Sequence, residues 1–274
     1  MSNIASTLRQ KVIRRVEYTR LYWPRLLNAV RHDVHQRYAG SYFGTFWAVL
    51  YPLSLLIFYA TVYVVIFKVS VPNMEASSYT ILVMSGLSAI IMFSESLSSG
   101  MSIISGQRSL LMNTVFPAEL LPPRSVLASQ VPALSALVLT WAGASFVGSV
   151  SWIALIMVPF TWILLIMFLM GLVWITSLLA LVVRDLQQAV GIINMAAMVL
   201  SPMAYTPEMV PQGLKFLVYC NPLSYFIFCL QAPLALGAWP PLYAIVGCVL
   251  IGTITFAIGL TFFKRARFAF VDFA

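Results

Sequence analysis

A chain of 274 residues that is 61% hydrophobic and only 9% charged has more apolar surface than a water-soluble globule can bury. Its net charge of +8 does not point to nucleic acid, because the cations are not spread over a face: eight of the sixteen lie in the first 37 residues and three more near the end. Cations flanking apolar runs are determinants of membrane topology and contacts for lipid headgroups.

The first 37 residues read as a basic arm. From Pro24, a favourable first helical position, Leu26, Leu27, Val30 and Val34 share one helical face with Trp23 leading into it, while Arg20, Arg25 and Arg31 lie off it. The spacing predicts an amphipathic helix in the membrane interface, which serves either as a simple anchor or as a working surface. No sustained apolar stretch interrupts the first 44 residues, so a cleavable signal peptide is not expected.

The junction Arg37-Tyr38-Ala39-Gly40-Ser41-Tyr42-Phe43-Gly44 runs into thirty uncharged residues, Tyr38 to Phe67. A bilayer core takes about 20 apolar residues in a helix, so a first span is expected over residues 46–67. Trp47, Tyr51, Ser54, Phe58 and Thr61 recur along it at alternating steps of four and three, one stripe of rings and hydroxyls. Such a stripe suits either helix packing or stacking against sugar rings.

Further spans are expected over 76–95, 125–148, 152–183, 186–205 and 242–263, with a proline-containing connector at 98–123. Asn194 and Ser201 are the polar candidates on the fifth. Residues 208–241 hold Pro211, Asn221-Pro222, Pro233 and Pro240-Pro241, yet are apolar and aromatic between them. Their pieces are too short to cross and read as re-entrant outer-leaflet helices or as an interfacial loop. The fold expected is an all-α integral membrane protein, with an arm over 1–45 and a six-span domain over 46–274. Assigned to alternate sides, the cations divide fourteen to two, which places both termini in the cytoplasm.

Chemistry is sparse. His32 and His35 flank Asp33 without a further ligand. Cys220, Cys229 and Cys248 lack CxxC spacing. Glu95, Asp185 and Glu208 fall at different expected depths, so a membrane-embedded glycan enzyme or assembly scaffold is disfavoured. No Gly-Lys dipeptide exists, hence no nucleotide-binding phosphate loop. Neither a metal nor a cofactor is expected in this chain.

In order along the chain, the Arg37–Gly44 junction with Trp47 and Pro52, Phe93-Ser94-Glu95-Ser96, Asn113-Thr114-Val115-Phe116-Pro117, Arg184-Asp185-Leu186, Ser201-Pro202-Met203-Ala204-Tyr205 and Asn221-Pro222-Leu223 resemble a known pattern. It is that of the membrane-spanning subunit of type-2 ABC exporters, in the branch exporting bacterial surface polysaccharides such as O-antigen, capsule and teichoic acid. The resemblance implies a homodimer in the bacterial inner membrane, two copies of a separate ATPase that binds ATP and Mg²⁺, and a lipid-linked polysaccharide substrate. A drug or lipid substrate is the alternative.

The resemblance also implies a coupling helix near residues 106–115. Leu110, Leu111 and Met112 would fill an ATPase groove, with Gln107, Arg108 and Asn113 around them; an ordinary surface loop is the other reading. It favours Trp47, Tyr51, Ser54, Phe58, Thr61, Asn194 and Ser201 as channel lining. Arg25, Arg31 and Arg37 then suit the lipid pyrophosphate.

Overall fold

The computed structural model describes residues 22–69, 74–106, 118–183 and 185–270, and the regular structure among them is helical throughout. Residues 107–113, assigned to coupling, lie outside the described residues. Helix α1 covers residues 22–37 and a turn leads from it to α2, Trp47–Ala60, which continues into a π-helical turn, Thr61–Ile66. There follow α3 (Ala76–Met101), the short α4 (Ile103–Gly106), α5 (Leu121–Ala128), α6 (Gln130–Val147) and α7 (Trp152–Val182). The chain closes with α8 (Asp185–Leu200), α9 (Lys215–Cys220), α10 (Pro222–Ala235) and α11 (Leu242–Phe270).

Among the described residues, five helical stretches are long and apolar enough to cross a bilayer: Gly44–Ile66, Ala76–Met101, Leu121–Val147, Trp152–Val182 and Leu242–Ala266. A sixth exists only if Gln212–Cys220 and Pro222–Ala235, bent 91° to each other, count as one crossing. Helix α8, where a fifth span was expected, has 16 residues. That is about 24 Å at 1.5 Å per residue, short of the ~30 Å hydrocarbon core.

The polar connector is narrower than the prolines suggest. Helix α3 continues past Glu95 to Met101, and α5 starts at Leu121 with Pro122 and Pro123 in its first turn. Proline is at home there, because the first-turn N–H groups have no intrahelical partner to lose. Pro52, inside α2, does remove a hydrogen bond, leaving the Ala48 carbonyl without its usual donor. The Ser135 hydroxyl of α6 donates to that carbonyl at 2.6 Å. In a bilayer such repair is required, since no water is present to provide it.

Helix α3 forms the centre, packed against α2, α5, α6, α7, α8 and α10. The most extensive pairing is α7 with α11, and it depends on close backbone approach. A Cβ added at Gly259 would lie 2.2 Å from the Gly171 carbonyl oxygen, so only glycine permits this crossing.

Helix α10 is buried along nearly its whole length. Asn221 sets the bend before it: its side chain accepts from the Leu223 N–H at 3.0 Å and donates to the Ser201 hydroxyl at 2.9 Å. Gln231 of α10 donates from Nε2 to the carbonyls of Leu82, Pro202 and Met203 at 3.3, 3.0 and 3.2 Å. The Tyr79 hydroxyl donates to the Ala204 carbonyl at 2.7 Å. The irregular turn after α8 is thereby fastened to α3 and α10, and its carbonyls are satisfied inside the protein.

Candidate transport face

On one side of α3 the helices α2 and α8 lie open. Trp47, Tyr51 and Phe58 of α2 are 39%, 46% and 63% exposed, and Thr61 is exposed too. Ser54 is half-buried and its hydroxyl donates to its own helix, at Leu50. Four of the five stripe residues therefore face outward from the protomer. The Tyr59 hydroxyl reaches the Met198 sulfur at 3.3 Å and bridges α2 to α8.

Helix α8 is thinly packed, with Val190 its one buried residue and Ile192, Met195 and Val199 exposed. Two polar rungs tie it to the adjoining end of the α3–α4 region. Asn194 donates to the Ser98 hydroxyl at 2.9 Å, and Gln187 to the Ser105 hydroxyl at 3.0 Å. The partners are seven residues apart in each segment, two helical turns, as antiparallel neighbours require. Asn194 Oδ1 is buried and has no hydrogen-bond partner. Ser201, also expected on this face, is instead fully buried and held by Asn221.

At the base of the face the basic arm is clasped to the bundle. Arg124 of α5 grips Asp33 of α1 through Nε to Oδ2 and Nη2 to Oδ1, a forked ion pair with both side chains largely buried. One turn further along α1, Arg37 Nη1 lies 2.7 Å from Glu95 Oε2 of α3. A cleft of about 310 Å³ opens beside this second pair, lined by Arg37, Tyr38, Ser41, Trp47, Tyr51, Glu95 and Pro132. Burial raises the Tyr38 hydroxyl pKa above its ordinary value, against the lowering effect of Arg37.

Neither ion pair was visible in the sequence. Asp33 and Arg124 are 91 residues apart, Arg37 and Glu95 58, and each reads alone as a topological charge or a span end. Of the three arginines expected at the lipid pyrophosphate, Arg25 and Arg31 are exposed, Arg25 lying over the Tyr22 ring, while Arg37 is engaged by Glu95. On the arm's apolar face Leu26 is buried and Val30 and Val34 are half-buried, but Leu27 and Trp23 stand exposed.

Long apolar helices packed around a central α3 define a multi-pass membrane protein. Residues 26–235 match the model of the ABC-2 type transporter family, and the chain belongs to that family. An O-antigen export system permease protein RfbA of Klebsiella pneumoniae is 25% identical over 243 residues, covering 88% of this chain and 91% of the relative. Another of the same name from Myxococcus xanthus is 28% identical over 181 residues, covering 66% and 67% of the two chains.

Proposed function

We propose that this chain is the permease half of an ATP-driven exporter that moves a lipid-linked polysaccharide, O-antigen or a related polymer, out of the cytoplasm. The observation that carries the reading is the open face of α2 and α8, where the exposed rings of Trp47, Tyr51 and Phe58 lead along one line to Thr61 in a member of this transporter family. Sugar rings stack on aromatic faces without strict geometry, and hydroxyls exchange hydrogen bonds with one another. A polymer sliding over many weak contacts needs both properties.

Two copies of the chain enclose the conduit between their open faces, and two copies of a separate ATPase dock beneath. ATP and Mg²⁺ belong to that partner, and Gln107, Arg108, Leu110, Leu111, Met112 and Asn113 receive its stroke. The outward-facing Arg25 and Arg31 attract the lipid pyrophosphate to the membrane surface, and Arg37 takes it up where Glu95 yields. Both termini face the cytoplasm.

Co-purification tests this. The chain alone should turn over no ATP, and it should bring down the ATPase encoded beside it. Replacing Leu111 and Met112 with Asp introduces unpaired charge at the docking surface and should abolish that capture while membrane insertion persists. ATP turnover by the rigorously isolated chain, or full capture by the double variant, would remove the assignment.

A further inference from the structure

Helix α11 is longer than the hydrocarbon layer it crosses. From Leu242 to Arg265 it rises about 35 Å at 1.5 Å per residue, against a core of ~30 Å. Its first turn stands beside the exposed rings of Trp239 and Tyr243, side chains that settle at the membrane–water boundary. Lys264 and Arg265 therefore stand at the headgroup layer of the opposite leaflet, and both are exposed. Phe263, just before them, is buried against Ile104, Trp174 and Leu178. That contact fixes the rotation of the helix, so the two cations cannot turn inward.

Beside them lies a hollow of about 580 Å³, lined by Ala257, Ile258, Thr261, Phe262, Arg265 and Ala266. The Thr261 hydroxyl is spent on the Ala257 carbonyl of its own helix at 2.6 Å, so the wall is apolar up to the Arg265 end. Exposed Ile258, Ile254 and Leu250 continue the apolar line away from the cations. Among the described residues no carboxylate lies within ion-pairing distance of Lys264 or Arg265. A free phosphate would meet the cations and leave the apolar trough unfilled. A phospholipid with an anionic headgroup satisfies both ends: its phosphate oxygens accept from the guanidinium fork and its acyl chain lies in the trough.

We infer that this end of α11 is a binding site for an anionic phospholipid of the adjoining leaflet. Arg265 and Lys264 hold the phosphate, and Ala257, Ile258 and Phe262 receive the start of the acyl chain. The site lies behind the small core around Trp174 and stabilises the end of α11 that closes that core. It rests on α11 as a membrane span and is independent of what the α2–α8 face carries.

The test uses the purified full chain, stripped of lipid in a neutral detergent and titrated with phosphatidylglycerol or phosphatidylcholine. Phosphatidylglycerol is expected to raise the melting temperature and phosphatidylcholine to leave it unchanged. The Lys264→Gln/Arg265→Gln double variant should bind phosphatidylglycerol about twentyfold more weakly, roughly fivefold for each charge at a membrane surface, with its lipid-free melting temperature unaltered. Ala257→Trp fills the trough without touching a charge and should weaken binding as well. Equal shifts with the two lipids, or unchanged phosphatidylglycerol affinity in either variant, would overturn the inference. So would an altered oligomeric state of Ala257→Trp in place of lost lipid affinity, which would give this face to a second copy of the chain.

Discussion

At the scale of single residues, the bundle is held by polar groups whose partners are remote in sequence. Ser135 donates to the carbonyl that Pro52 leaves open. Ser135→Ala removes that donor and should lower stability by about 1 kcal/mol, read as a reduced melting temperature of the full chain in detergent. The Asp33–Arg124 pair is the larger case, because Arg124 is only 6% exposed. Taking the carboxylate away from a buried guanidinium costs roughly 3–5 kcal/mol. Asp33→Asn should therefore detach the arm, measured as faster proteolysis after residues of α1. The exposed Arg37–Glu95 pair should matter far less to stability. In the sequence Pro52 is one residue of an entry motif and Asp33 a carboxylate between two histidines. What each does depends on a neighbour that only folding supplies.

At the scale of helices, more was legible. Long uncharged runs bounded by charged residues mark the stretches that form long apolar helices among the described residues, because hydropathy reports transfer into lipid directly. Boundaries were harder where proline has two meanings: Pro122 and Pro123 open α5 instead of interrupting a loop. The brevity of α8 and the right-angle bend at Asn221 come from capping and packing, which hydropathy does not record. The stripe on α2 was readable as a period, though not as a conduit or a packing seam. Tyr51 and Phe58 are open in the protomer, so replacing both with Ala opens no internal cavity there. The double variant should slow export while its melting temperature stays near that of the unchanged chain. A large fall in stability would assign the stripe to packing instead. The α7–α11 crossing should behave oppositely. Gly259→Leu drives a side chain into the Gly171 backbone and should cost about 3 kcal/mol, seen as lost expression and a lowered melting temperature.

At the scale of the whole molecule, charge distribution and the open face make complementary statements. The fourteen-to-two division of cations predicts that Arg14, Arg108, Arg184 and Lys264 lie in the cytoplasm and Lys215 outside. Single cysteines at these positions, on a background lacking exposed Cys220 and buried Cys229 and Cys248, should react with an external impermeant maleimide only at 215. Labelling at 108 in intact cells would reverse the orientation. The open face is the surface on which the proposed reading seats a second copy of the chain, with the energy source placed on a separate ATPase.

Export itself is tested most directly in inside-out membrane vesicles that carry lipid-linked glycan on their outer surface. Vesicles holding this chain and its ATPase should bring the glycan into a glycosidase-protected lumen when ATP is added. Vesicles lacking the chain, or given a non-hydrolysable ATP analogue, should leave it exposed. Equal protection with and without the chain would contradict its role as the permease.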